Sequence, residues 1–166
     1  MPTPAKRKFK LKESDYILLS IVQQDRYKKP QELSKLVKER SNEQVKLGAA
    51  ACRKRLDVLE KRGIIARNCA ILNPAAFDCE QICFMLVKAL VRTEEGLKRF
   101  TDNAIADESV LELHAIAGPF DYIIKARVAG VRDAHRLSKK LGIDVATIET
   151  LTVGDTFKET TALKLR

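Results

Sequence analysis

Two different hydrophobic periodicities divide this chain, and they constrain its fold more than any other feature. In the front part the apolar residues recur with helical spacing, as Cys52, Leu56 and Leu59 do at i, i+4 and i+7. In the back part they follow the period of two that is typical of half-buried strands, as in segment 120–128. The break falls near Asn73. The sequence therefore predicts an α+β protein with a helical front and a sheet-containing back.

The front part contains three predicted helices and two short predicted strands. The helices are expected over residues 15–24, from residue 30 onwards, and over 48–62. Their boundaries are marked by a capping serine, an opening proline and a closing glycine: Ser14, Pro30 and Gly63. Segments 64–66 and 70–72 are predicted to pair as a hairpin. Three helices followed by a hairpin predict a winged helix-turn-helix domain over residues 13–73.

The back part alternates strands and helices in a recognisable order. The predicted elements are strand 82–91, helix 94–105, strands 109–117 and 120–128, helix 131–141, and strands 145–153 and 157–165. The order β-α-β-β-α-β with one additional strand predicts a ferredoxin-like domain over residues 74–166. Helices on one face leave the other face of the sheet half-apolar and open, and such a face usually binds a partner sheet.

All the excess positive charge of the chain lies in its front part. The net charge is +9, of which residues 1–72 carry +10 and residues 73–166 carry −1. Residues 1–12 form a predicted basic tail that includes Lys6, Arg7 and Lys8. A segregated positive surface favours a polyanionic partner such as DNA, because neutralised phosphates release counterions. The alternative is a solubility face with a solvated tail that binds nothing specific.

Several other functions find no support in the residues. The four cysteines, Cys52, Cys69, Cys79 and Cys83, have irregular spacings and fit small buried hydrophobes in a reducing cytosol better than disulfides or metal ligands. His114 and His135 stand in no catalytic arrangement, and no glycine-rich phosphate loop is present. No apolar stretch is long enough to cross a membrane. We therefore expect a non-enzymatic cytoplasmic protein without a metal or cofactor.

Several motifs resemble one known family. They are Leu11-Lys-Glu-Ser-Asp-Tyr-Ile-Leu-Leu, Arg55-Leu-Asp-Val-Leu-Glu-Lys-Arg-Gly-Ile-Ile, Gly118-Pro-Phe-Asp-Tyr between two strands, and Lys158-Glu-Thr-Thr-Ala-Leu-Lys-Leu near the end. In their order and spacing, over residues 11–165, they resemble the leucine-responsive and asparagine-operon regulators (Lrp/AsnC, or feast/famine, family). The resemblance implies a transcription regulator whose winged helix-turn-helix binds double-stranded operator DNA.

The resemblance also implies particular site residues. The third helix corresponds to the recognition helix, so Arg53 and Lys54 are expected at the DNA, with the tail lying along the backbone. Arg55 is expected at the DNA too, and the alternative for it is a role in packing or a contact to a phosphate. The second domain is expected to form a homodimer, sheet to sheet, and dimers to assemble into tetramers or octamers. An amino acid is expected to bind between dimers. The effector residues it implies are His114, Gly118, Pro119, Phe120, Asp121, Thr150, Leu151 and Thr152.

The sequence departs from the family pattern at the helix-turn-helix itself. About eight additional residues, around 38–46, separate the second and third helices, and Gly48 replaces the serine that usually caps the third helix. In the effector turn, Pro119 stands where the family often has a polar residue. These departures leave the seating of the recognition helix and the identity of the effector open.

Two alternatives remain beside a sequence-specific regulator associated with the nucleoid. One is an architectural oligomer that compacts DNA without preferred sites. The other is an enzyme, because some haem-pathway decarboxylases share the two-domain pattern and carry a His-Asn-Tyr stretch where this chain has Leu113-His114-Ala115. Only the histidine position corresponds to that stretch.

Overall fold

The computed structural model describes residues 9–165, so the tail residues Lys6, Arg7 and Lys8 lie outside the described part. The chain divides into two compact units, one made of residues 9–70 with 159–165 and the other of residues 71–158. Among the described residues, no helix is both long and apolar enough to span a membrane.

The first unit is a three-helix cluster. Its helices are α1 (Glu13–Val22), α2 (Pro30–Arg40) and α3 (Ala49–Lys61). Their apolar stripes meet in a core that includes Leu18, Ile21, Leu33, Val37, Cys52, Leu56 and Leu59. Pro30 begins α2, and Gly63 follows α3 with a φ of 70°, as the sequence predicts. The N–H of Ile64 donates to the Leu59 carbonyl at 2.9 Å, which ends the helix.

The start of α1 differs from the prediction. Ser14 is not the capping residue; the helix begins at Glu13 with Lys12 as its N-cap. The cause is Asp15, whose carboxylate accepts a hydrogen bond from the Lys12 N–H at 2.7 Å. That bond satisfies an N–H at the helix start, so the first turn forms earlier than the serine position indicated.

The predicted wing hairpin is wrong, because neither 64–66 nor 70–72 is a strand in the structure. Side chains hold this exposed segment instead. The Asn68 amide donates to the Glu60 carboxylate at 3.1 Å and accepts from the Arg26 guanidinium at 3.2 Å. The segment is therefore tied to the helices, with Ile65 packed against their core, and no backbone ladder forms.

The second unit is the ferredoxin-like domain that the sequence predicts. After a short 3-10 helix, Pro74–Phe77, its elements are β1 (Gln81–Ala89), α4 (Glu94–Ala106), β2 (Val110–Ala115), β3 (Tyr122–Val128), α5 (Val131–Gly142) and β4 (Ala146–Thr152). The strands form one antiparallel sheet in the order β2-β3-β1-β4. The predicted α+β class and the β-α-β-β-α-β order are confirmed.

The two faces of this sheet have different environments. One face packs on the helices through a core that includes Cys83, Met85, Val87, Phe100, Ile124, Ala126, Leu137 and Leu141. The strand register places a different set on the opposite face: Phe84, Leu86, Ile123 and Leu151. None of these four belongs to the buried core, and Leu151 is 52% exposed. The second face is thus apolar and half-exposed in a single chain.

The predicted last strand, 157–165, is also wrong. No strand forms there, and residues 159–165 pack with the helical unit. The side-chain amide of Gln23 holds this segment at both of its atoms: Nε2 donates to the Leu163 carbonyl at 2.9 Å, and Oε1 accepts from the Leu163 N–H at 3.1 Å. The Gln23 side chain therefore satisfies both backbone polar groups of Leu163, which in a sheet would bond to a neighbouring strand.

Candidate DNA-binding surface and effector region

The outward face of α3 carries two cations without acidic partners. Arg53 and Lys54 are exposed and directly follow the buried Cys52. Within residues 9–165 neither side chain makes an ion pair or hydrogen bond, so both guanidinium and ammonium groups are available to an external anion. The buried residues of α3 lie on one face of the helix, so the residues between them along the chain lie on its exposed face, and two of these residues are charged.

Arg55, the third predicted DNA-binding residue of α3, lies in a different environment. Its guanidinium pairs with the fully buried carboxylate of Asp15, with Nε 2.5 Å from Oδ1 and Nη2 2.6 Å from Oδ2. Burial alone raises the pKa of Asp15, but hydrogen bonds from Arg55 and from the Lys12 N–H outweigh it and hold that pKa below its usual value. This two-point ion pair fastens α3 to the first turn of α1.

An aromatic contact joins the start of the described chain to the same arginine. The Arg55 guanidinium lies 5.1 Å from the centre of the Phe9 ring, and the Arg62 guanidinium lies 5.3 Å from it. Both distances are within the range of cation–π attraction. Phe9 lies within the basic segment that precedes α1, so this contact places that part of the segment against α3.

Several other cations of the helical unit already have acidic partners. Arg26 pairs with Glu60 at 2.7 Å, and this hydrogen bond, with that from Asn68, lowers the pKa of the Glu60 carboxyl. The remaining pairs join Lys28 with Asp25, Lys35 with Glu39, and Lys38 with Glu43. Unlike these cations, Arg53 and Lys54 make no ion pair within the described residues 9–165.

The predicted effector turn connects β2 to β3 and is held by β1. Gly118 has a φ of 148°, a conformation that favours glycine. The Asp121 carboxylate accepts from the Ala89 N–H at 2.9 Å and lies 3.7 Å from the Arg92 guanidinium. The Lys88 ammonium donates to the Pro119 carbonyl at 2.8 Å. Asp121 therefore already has a role in closing the turn, beside any role toward a ligand.

Three of the other predicted effector residues lie on β4, which β1 separates from the strands that this turn connects. Thr150, Leu151 and Thr152 pair with Met85, Phe84 and Cys83, toward the far end of β1, whereas Asp121 donates its N–H to Val87 near the end where β1 stops. The imidazole of His114 is exposed on β2 and lies 3.2 Å from the Glu112 carboxylate. Phe120 is half-buried within the turn.

The cysteines and acidic groups form no metal site in the described part of the chain. All four cysteines are free thiols; Cys52 and Cys83 are buried, and burial raises the pKa of both. Cys69 is exposed, so the expectation that all four are buried hydrophobes is wrong for this residue, which lies in the segment where the wing hairpin does not form.

Comparison with known proteins agrees with this arrangement. Residues 82–163 match the Lrp/AsnC ligand binding domain. The chain is 33% identical to the proline dehydrogenase transcriptional activator of Rhizobium radiobacter over 72% of this chain and 78% of that protein. It is 29% identical to the glutamate uptake regulatory protein of Zymomonas mobilis, over 80% and 76% of the two chains. A transcriptional regulator of Neisseria meningitidis, solved in complex with L-Met, superposes with a TM-score of 0.81, at 23% identity over 93% of this chain and 97% of that one.

A three-helix unit with an unpaired cationic helix face, joined to a ferredoxin-like domain, defines a two-domain transcription regulator. The chain belongs to the Lrp/AsnC family of such regulators. Its named relatives are regulators, so the haem-pathway enzyme alternative is wrong.

Two residues that organise the DNA-facing helix were not identified from the sequence. Asp15 is an acidic residue in the polar first turn of α1, where acids are common, and Phe9 is an aromatic residue within a run of cations. Phe9 is an exception to the pattern of its own segment, and that exception was the available signal; the pattern around Asp15 contained none. Their shared partner, Arg55, lies forty residues beyond Asp15, and periodicity does not reveal contacts at that separation.

Proposed function

We propose that this regulator binds operator DNA through α3, with Arg53 and Lys54 at the base edges or phosphates of the major groove. The proposal rests on the different environments of three consecutive cations of α3. Arg55 fastens the helix to the buried Asp15, while Arg53 and Lys54 are exposed and have no partner in the part of the chain that the structure describes. Arginine is the side chain that best reads guanine with two hydrogen bonds.

The basic tail extends this contact along the DNA backbone. Lys6, Arg7 and Lys8 precede Phe9, whose ring is contacted by the guanidinium groups of Arg55 in α3 and of Arg62 just after it. Cations that enter beside a recognition helix are suited to bind phosphates of the same site, or the adjacent minor groove.

The second domain forms a homodimer through its open sheet face and assembles further into tetramers or octamers. Support comes from the half-exposed apolar residues Phe84, Leu86, Ile123 and Leu151, which have no partner layer in one chain. Burial of such residues is the main source of association free energy. A dimer would present two α3 helices about 34 Å apart, or a multiple of that, to a pseudo-palindromic site.

An amino acid bound between dimers tunes this assembly. The turn from Gly118 to Asp121 supplies one wall and segment 150–152 of another chain supplies the other, because a single chain keeps the two apart. An aspartate suits the ammonium group of such an effector. The Neisseria neighbour with bound L-Met supports an amino acid as the ligand class.

A regulator that binds operator DNA acts at the nucleoid, in the cytoplasm.

The test is a fluorescence-anisotropy titration of the full chain with a duplex from its own promoter and with a scrambled duplex. We expect preference for the promoter, with affinity falling as salt rises. Replacing Arg53 or Lys54 by Ala should cost about 1–3 kcal/mol of binding on the promoter. Lys139→Ala, which removes an exposed cation of α5, is the matched control.

Binding that ignores salt would contradict the proposal. Equal affinity for both duplexes, with a footprint that spreads along the DNA, would favour the architectural alternative. A thermal-shift screen of the twenty amino acids tests the effector, because a ligand that binds only the folded state raises its apparent stability.

A further inference from the structure

The connection between α2 and α3 is longer than the turn of an ordinary helix-turn-helix. It runs from residue 41 to residue 48, whereas such turns usually have three or four residues. Residues 38–40, which the sequence assigned to an insertion, are the last turn of α2. The additional length therefore lies in a loop of its own, which we call the 41–48 loop.

Ser41 holds the first half of this loop in one conformation. The residue is only 7% exposed, although the loop is on the surface. Its hydroxyl donates to the Lys38 carbonyl at 3.0 Å and accepts from the Val45 N–H at 3.0 Å. The Glu43 N–H donates to the same Lys38 carbonyl at 2.8 Å. The loop is thus folded back onto the end of α2.

The second half is fastened to the helices as well. The Ser34 hydroxyl of α2 donates to the Leu47 carbonyl at 2.7 Å, and the Cys52 thiol of α3 lies 3.6 Å from the same oxygen. Val45 and Leu47 pack against the helical core. With both halves anchored, the loop is an ordered projection with a defined position relative to α3.

The tip of the loop has an unusual backbone. Asn42 and Glu43 have φ values of 49° and 65°, in the left-handed region. Asparagine adopts this region readily, but a glutamate there is uncommon and persists only when surrounding contacts impose it. The hydrogen bonds to Lys38 and Ser41 impose it here. The tip of the loop is therefore held in one backbone conformation by specific hydrogen bonds.

Lys46 is the cation of this loop. It is exposed, and within residues 9–165 it makes no ion pair, whereas Lys35 and Lys38 in the preceding helix pair with Glu39 and Glu43. It stands shortly before α3, whose Arg53 and Lys54 also lack acidic partners. Along the chain, an unpaired cation of the loop thus precedes the two exposed cations of α3.

We propose that the 41–48 loop is a second DNA-contacting element, in which Lys46 binds a backbone phosphate and Ser41 is the positioning residue. The inference rests on the proposed function, because it assumes that α3 faces DNA. It assigns to this loop a contact that adds affinity and fixes register without selecting bases, since phosphate contacts carry no direct sequence information.

The experiment compares Lys46→Gln with Lys35→Gln, which removes an exposed cation from α2 of the same unit. Affinity of the full chain is measured by anisotropy on the promoter and scrambled duplexes over a range of salt. For each chain bound, Lys46→Gln should reduce the slope of log K against log salt by about 0.9, and affinity by about eightfold near 0.1 M salt, on both duplexes. Lys35→Gln should leave the slope within experimental error.

A double-mutant cycle tests the positioning role. Ser41→Ala should weaken DNA binding in the wild-type background and have little further effect in the Lys46→Gln background, because its effect passes through Lys46. Additive effects would overturn the role of Ser41. Lys46→Glu serves as a second variant, and its loss should exceed that of Lys46→Gln.

The two proposals fail in different ways. If the wild-type chain binds DNA with the expected salt dependence but Lys46→Gln and Lys35→Gln have equal slopes, the loop contact is overturned and the proposed function stands. If the wild-type chain shows no salt-dependent binding at all, the proposed function is overturned, and the loop contact with it.

Discussion

The guanidinium of Arg55 makes a two-point ion pair with Asp15, a carboxylate that has no exposed surface. The same aspartate accepts the Lys12 N–H at the start of α1, so one side chain both begins that helix and fastens α3 to it. A buried carboxylate without its cation is strongly unfavourable. The orientation of α3 therefore depends on a residue that, from the sequence, was expected to contact DNA.

Substitution of Arg55 should lower the stability of the protein, whereas substitution of Arg53 should lower its affinity for DNA. Arg55→Met leaves Asp15 buried without its partner, so the free energy of unfolding should fall by about 3–5 kcal/mol. Arg53→Met should change that free energy by less than about 0.5 kcal/mol, because its side chain is exposed and unpaired, but should weaken DNA binding. Denaturant unfolding and anisotropy titration measure the two quantities. Equal destabilisation by both variants would contradict this assignment.

The stability of the helical unit should fall in acid because of Asp15. Its pKa is lower in the folded chain than its usual value of 3.8, so the stabilising effect is complete above that value and is lost as pH falls through the lower folded pKa. Asp15→Asn should be less stable than wild type at neutral pH and should show a smaller further loss between about pH 5 and about pH 2.

Urea unfolding at a series of pH values measures this effect. Asp57→Asn, at an exposed carboxylate of α3, is the control and should retain the acid-dependent loss. An acid-dependent loss in Asp15→Asn as large as that of wild type would show that other groups cause it.

Phe9 should matter for the way the basic tail reaches DNA. Deleting residues 1–8 removes Lys6, Arg7 and Lys8, and should reduce the salt slope of DNA binding by about 2.7 for each chain bound. Phe9→Ala keeps these cations but removes the ring that two guanidinium groups cover, so affinity should fall while most of the slope remains. Phe9→Tyr keeps the ring and is the control. An unchanged slope in the deletion variant would exclude phosphate contacts by the tail.

Asp121 allows its role in the turn to be separated from a role toward an effector. Asp121→Asn retains an oxygen for the Ala89 N–H and should preserve stability, whereas Asp121→Ala leaves that N–H without its acceptor and should cost about 1 kcal/mol. If the carboxylate binds the effector ammonium, both variants lose the thermal shift that the amino acid induces. A normal shift in Asp121→Asn would confine Asp121 to closing the turn.

Much of the fold was predictable because it depends on local periodicity. The stripe of Cys52, Leu56 and Leu59 predicted α3, and the alternation along segment 120–128 predicted the face of β3 that packs on helices. Pro30 and Gly63 act through their own backbone geometry, so their helix boundaries followed from single residues. The positions of Arg53 and Lys54 on the outward face of α3 followed in the same way.

The errors lie where contacts between distant residues determine the local structure. The segment after Gly63 has strand-like composition, but Asn68 is bound to Glu60 and Arg26, and no hairpin forms. The last segment has strand-like composition too, but the Gln23 amide takes both of its hydrogen bonds at Leu163. At Leu163 a side chain from elsewhere in the unit replaced the backbone partner that strand formation requires, and at Asn68 side-chain hydrogen bonds hold the segment beside the helices.

By itself the sequence determined the two-part architecture, the segregation of positive charge and the helix that carries the exposed cations, because each follows from spacing and composition along the chain. Only the tertiary structure decided which cations remain available. Arg55 is committed to a carboxylate forty residues away, and Lys46 is presented by a loop anchored through Ser34 and Ser41. Whether a charge is paired or free depends on what folding brings beside it, and that information is not carried by any single segment.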